Sequence, residues 1–73
     1  MPKLPILKSR QIITALEKAG FRKVRQKGSH IVLRRERPFA QVVVPDHRSI
    51  DTGTLAAILD GAGLTIEQLN SLL

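Results

Sequence analysis

The 73-residue sequence contains no cysteine, no tryptophan and no tyrosine. Without cysteine, neither disulfides nor thiolate-bound metals can supplement the core, and the absence fits a reducing compartment. Two histidines and six acidic residues argue against a structural metal site, and the reading calls for no metal and no small-molecule cofactor. Phe21 and Phe39 are the only aromatic residues. The stacking platforms on which RRM and OB folds hold bases therefore have no material, and contact with nucleic acid would run through charge and shape. Long apolar runs are missing too. Leu4, Ile6 and Leu7 are interrupted by Pro2, Pro5 and Lys8. Nothing reaches the ~7–15 residues of a signal-peptide core or the ~20 of a membrane span. The expectation is a soluble, cytoplasmic protein with no membrane partner.

Positive charge is what the chain has in excess, with a formal net charge of +6. Residues 1–37 hold eleven Lys and Arg against Glu17 and Glu36, a net of +9. Residues 38–73 hold Arg48 against Asp46, Asp51, Asp60 and Glu67, a net of −3. Folding does not need such asymmetry, whereas a face built for a polyanion does. The plainer alternative is a solvated basic surface kept for solubility. The length allows one domain, residues 1–73. A domain this small buries only roughly 60% of the surface its unfolded chain exposes, so its core is thin.

Ile12, Ile13, Leu16 and Ala19 recur at helical spacing after Ser9, which can cap the free amides of the first turn. Gly20 supplies the left-handed residue of a Schellman stop, with Phe21 folding back onto Leu16. Three strands follow. Arg22 to Gln26 is short; Lys27-Gly28 reads as a turn; Ser29 to Arg35 carries Ile31, Val32 and Leu33. Arg35-Glu36-Arg37-Pro38 is a polar connector, since its proline cannot sit within a central ladder. Phe39 to Val44 is the third strand, ending at Pro45. Alternation turns Ile31 and Leu33 towards the helices and His30, Val32 and Arg34 away from them. For the third strand, the pair Val42 and Val44 opposes Gln41 and Val43, and either pair could be the buried one.

After a loop from Asp46 to Thr52, Asp51 or Thr52 caps a second helix with the stripe Leu55, Ile58, Leu59 and Ala62. Gly61 and Gly63 weaken and stop it. Thr65 and Gln68 form a capping box for a short third helix, with Leu64 and Leu69 at the positions of a hydrophobic staple. Leu69, Leu72 and Leu73 are expected to dock on the core or on a partner. The order α-β-β-β-α with a short C-terminal helix implies a small two-layer α+β domain resembling a double-stranded-RNA-binding domain. Fold does not settle function, so the site must carry that argument.

One constellation has chemical potential: Lys27-Gly28-Ser29-His30. Gly28 permits a tight turn or close backbone approach, Ser29 can hydrogen-bond a phosphate oxygen, and Arg25 stands nearby along the chain. Metal-free RNA cleavage requires a proton to leave the 2′-hydroxyl, charge on the phosphate to be neutralised, and a proton to reach the 5′-oxygen. An imidazole, with an ordinary pKa of about 6.5, suits proton transfer near neutrality. Lys or Arg can neutralise the phosphate. A strand histidine is more often merely solvated or packed, and Gly-Ser-His alone is a short signal. His47 is a possible accessory group, because the loop carrying it falls at the same end of the meander as His30; its plainer reading is helix capping or solvation. Thr52-Gly53-Thr54 can bind phosphate through free amides, though simple capping is the stronger reading. No GxSxG elbow, Rossmann fingerprint or Walker loop is present.

Ala19-Gly20-Phe21, Lys27-Gly28-Ser29-His30, Val43-Val44-Pro45-Asp46-His47, Gly53-Thr54-Leu55, Ile58-Leu59 and Ala62-Gly63-Leu64 occur in this order. In order and spacing they resemble the HicA (YcfA-like) toxins, over residues ~6–73 by the domain-length prior. The resemblance implies a double-stranded-RNA-binding-like fold and cofactor-independent mRNA interferase activity. It also implies a catalytic histidine in Gly-Ser-His, here His30, and a HicB antitoxin partner that covers the active face. Many relatives carry a second histidine directly after the first, where this chain has Ile31. In the corresponding mechanism Lys27 and Arg25 position the mRNA phosphate, Gly28 and Ser29 lie against it, and Lys23 and Arg34 add steering charge. The rival from another class is a non-catalytic RNA- or DNA-binding module using the same basic face; a pure interaction protein for an acidic partner is a third.

Overall fold

A computed structural model of the chain describes residues 6–73. Pro2, Lys3, Leu4 and Pro5, which enter the reading of the N-terminal segment, lie outside the described residues. Helix α1 (Ser9–Lys18) buries Ile12, Ala15 and Leu16, with Ile13 and Ala19 packed at the margin of the core. Its N-cap is Lys8, not Ser9. Ser9 is buried, and its hydroxyl donates to Asp46 Oδ1 at 3.3 Å, so a tertiary partner draws it from the cap. Gln11 Oε1 instead accepts from the Lys8 amide at 2.9 Å. The helix stops as expected: Gly20 takes φ 99°, and the Phe21 amide donates to the Leu16 carbonyl at 2.9 Å. That contact closes the Schellman turn over two buried side chains.

Strands β1 (Arg22–Lys27), β2 (His30–Glu36) and β3 (Phe39–Pro45) form an antiparallel meander in that order. Two boundaries differ from the sequence reading. Lys27 pairs with His30 as the last residue of β1, leaving Gly28-Ser29 as the turn. Arg35, the expected end of the second strand, pairs with Ala40, and Glu36, expected in the connector, pairs with Phe39, so the second hairpin closes on Arg37-Pro38 alone. Tight pairing next to short turns leaves fewer backbone groups without partners than a four-residue connector would.

The sheet's two faces have different fates. Ile31 opposes Val44 and Leu33 opposes Val42, and all four are buried in the core. This settles which pair of β3 faces inward: Val42 and Val44. Helices α2 (Thr52–Ala62) and α3 (Ile66–Leu72) complete the second layer, contributing Leu55, Ile58, Leu59, Ala62 and Leu69 to the same cluster. Asp51 is the α2 cap, accepting from the Thr54 amide at 2.7 Å. Gly61 does more than weaken α2: a Cβ there would stand 3.3 Å from Val42 Cγ1, so the missing side chain lets the helix lie against β3. Gly63, at φ 72°, ends it. The expected capping box of α3 is present: the Thr65 hydroxyl accepts from the Gln68 amide at 3.1 Å, and the Gln68 side-chain oxygen accepts from the Thr65 amide at 2.8 Å. Leu69 docks fully and Leu72 partly, while Leu73 is half exposed. The fold class is α+β, with helices on one face of a three-stranded sheet.

Candidate functional site

The face of the sheet away from the helices is built by register. Lys27, His30 and Pro45 form one cross-strand row; Arg25, Val32 and Val43 the next; Arg22, Arg34 and Gln41 the third. Opposed residues in an antiparallel ladder share a face. Four cations therefore stand around a centre of two valines. Val32 is only 7% exposed although it lies outside the helix-facing core cluster. It lies between Arg25 and Val43 across the strands, and the stems of long cationic side chains commonly cover apolar surface of this kind. Arg25, Lys27, His30, Val32 and Val43 line one open depression of about 480 Å³.

His30 is exposed at the start of β2, on this outer face. Gly28 positions it. With φ 58° at the first position of a two-residue loop, and no positive φ at Ser29, the turn has the pattern of a type II′ hairpin. A Cβ at Gly28 would meet nothing within 4 Å, so the turn's conformation, rather than space, requires the glycine. Ser29 is exposed in the same turn, and its carbonyl accepts from the Asp46 amide at 2.6 Å. Arg34 lies along the outer face with Nε donating to Gln41 Oε1 at 2.9 Å.

Not every residue singled out in the sequence joins this group. The pairing of β1 with β2 slips between Lys23 and Arg25, so Lys23 opposes Leu33 and takes the other face register. A β-bulge inserts one residue and reverses the facing of everything beyond it. No feature of Arg22 to Lys27 announces that slip. Position 31 likewise faces the core, where Ile31 is 5% exposed. A histidine there would point away from His30's ring, so Ile31 deprives the outer face of nothing. His47 sits at the same end of the sheet as His30, two residues beyond its strand partner Pro45. It lines a different depression, with Lys8, Ser9, Arg10, Asp46 and Arg48. The valine floor was foreshadowed by the parity of Val32 with His30; Val43 joined it only through register.

The far end of the face is less cationic. Arg22 approaches Glu36 at 3.4 Å, and Phe39, paired with Glu36, is 66% exposed. Among the described residues, no group of three or more His, Cys, Asp or Glu is placed to hold a metal ion. No helix among them is long and apolar enough to cross a membrane. Residues 9–64 fit the protein-family model described as HicA toxin of bacterial toxin-antitoxin. No curated protein matches the chain significantly.

Proposed function

The chain belongs to the HicA toxin family of bacterial toxin–antitoxin systems, and on that premise we propose that it is an mRNA interferase acting in the cytoplasm. In this reading it cleaves RNA without a metal, using His30 for proton transfer. The observation that carries the reading is the exposed imidazole of His30 in a depression it shares with Arg25 and Lys27.

The chemistry follows from those neighbours. His30 removes the proton of a ribose 2′-hydroxyl as the 2′-oxygen attacks the adjacent phosphorus. The bond to the 5′-oxygen breaks, leaving a 2′,3′-cyclic phosphate, and the 5′-oxygen takes a proton from solvent. In the opposite role, a protonated His30 supplies that proton. Lys27 and Arg25 hold the phosphate and offset its developing charge, with Arg34 extending the cationic track and Ser29 donating a hydrogen bond. Lys23, on the other register, contributes only to the long-range field. A face of this make-up, apolar at the centre and cationic at the rim, also suits burial by an acidic HicB-type antitoxin, which would silence the enzyme by covering it.

The test is incubation of purified protein with RNA in a chelator, alongside His30→Ala. Losing an acid–base group is expected to lower the cleavage rate about 10²–10⁴-fold. Growth arrest on induction should disappear with the same substitution. Equal cutting by both proteins would refute the role of His30. Salt-sensitive RNA binding with no scission at any dose would leave the non-catalytic RNA-binding module as the answer.

A further inference from the structure

Residues 7–10 and 46–50 are separated by the whole sheet in sequence and locked together in space. The Ile50 amide donates to the Leu7 carbonyl at 2.8 Å, and the Ser9 amide to the His47 carbonyl at 3.1 Å. These two bonds bracket Lys8 on one segment and Arg48 on the other. A third, from the Asp46 amide to Ser29, ties the loop to the turn that presents His30. Lys8, Arg10, His47 and Arg48 line an open depression of about 600 Å³ between the segments. All four are exposed. The one acid there, Asp46, accepts the Ser9 hydroxyl.

We infer that Lys8, Arg10, His47 and Arg48 form a second phosphate subsite, which holds the RNA strand where it leaves His30. The ligand's identity rests on the nuclease reading; the placement of the four side chains does not. Most amides of the helix's first turn are already engaged: that of Ser9 donates to the His47 carbonyl, and those of Gln11 and Ile12 to the Lys8 carbonyl. The site is built chiefly from side-chain charge. Its position gives it a purpose. Pro45 pairs with His30, and two residues of extended chain span at most about 7 Å, so the His47 backbone lies within one or two nucleotides' reach of β3's end. The lining favours a phosphate backbone over a protein partner. Ser9, Asp46 and the four named side chains are all polar, whereas a stable protein interface needs an apolar centre of the kind Val32 and Val43 supply.

The experiment measures binding of a single-stranded RNA oligonucleotide long enough to cross both depressions. The full chain carries His30→Ala so that the probe is not cut. Arg48→Ala and Arg10→Ala are compared with Lys18→Ala, which removes the same charge from the far end of α1. Each of the first two should weaken binding several-fold and lower the slope of log affinity against log salt by about 0.7–1. Arg48→Glu should weaken it further, and Lys18→Ala should change neither quantity. Affinity and slope matching the Lys18→Ala control would overturn the subsite while leaving the role of His30 intact. Unchanged RNA affinity with lost binding of an acidic antitoxin would overturn it in favour of a protein-docking role. No RNA binding by the His30→Ala parent would overturn the subsite and the nuclease reading together.

Discussion

Arg35 shows how little a residue's charge says about its task. It stands between Arg34 and Glu36 on β2, yet its side chain reaches the opposite layer. Nη2 donates to the Ala62 carbonyl at 3.1 Å, Nε to the Pro38 carbonyl at 3.0 Å, and the guanidinium lies 4.7 Å from the centre of the Phe21 ring. It joins the end of α2 to a hairpin turn and is spent on the fold, not on a polyanion. Asp51 is a second polar residue with a structural task. Hydrogen bonds from the Thr54 amide, the Thr54 hydroxyl and the Gly53 amide hold its carboxyl below the ordinary value of 3.8. Because the folded pKa is the lower one, this contribution to stability is complete above the unfolded value and fades as pH falls through the folded one. Acid denaturation curves of Asp51→Asn should therefore be flatter below pH 3.8 than those of the parent. An equal slope for both would remove Asp51 from the account of acid sensitivity.

Among the elements, the first hairpin places the most chemistry with the fewest residues. Gly28 sets the turn, the turn pairs Lys27 with His30, and the slip at Val24 decides which cations share the imidazole's face. Arg22 is brought in and Lys23 is sent away, while Arg25 keeps the face that its unbroken register with Val32 gives it. Gly28→Ala forces a side chain into a positive φ and should destabilise the protein by about 1–2 kcal/mol, read as a lower denaturant midpoint. The side chain would have room, since nothing stands within 4 Å. A loss near zero would mean that the turn relaxes into another type. The C-terminal helix is more self-sufficient: its capping box and the buried Leu69 follow from local sequence, and both are where the pattern puts them.

The whole molecule is thin, with extents of 33 × 27 × 17 Å. One layer of helices covers one side of the sheet, and among the described residues no second layer covers the other. The consequence is a single core with no reserve. Leu33 is fully buried at its centre, and Leu33→Ala should cost about 2–5 kcal/mol. A domain of this size holds only roughly 4–11 kcal/mol in total, so calorimetry should find the melting temperature lowered by roughly 8–40 °C. Charge is distributed by the same two-layer logic. The cations of β1 and β2 are split between the open face and the inner register, while Lys8, Arg10 and Arg48 gather at the end of the sheet where His30 emerges.

The amino-acid sequence by itself determined the helices, their stops, the three-stranded meander and the inward facing of Ile31 and Leu33. Helical periodicity, glycine punctuation and capping residues are local signals that survive folding. It also singled out His30, because Gly-Ser-His sits within a basic stretch. Tertiary structure alone decided which valines of β3 are buried, which face Lys23 takes, why Ser9 leaves its cap, and that residues 8, 10, 47 and 48 meet. Each of those depends on register or on contact between distant segments. One residue of slip, or one hydrogen bond across 37 positions, changes them without leaving a mark on the local pattern.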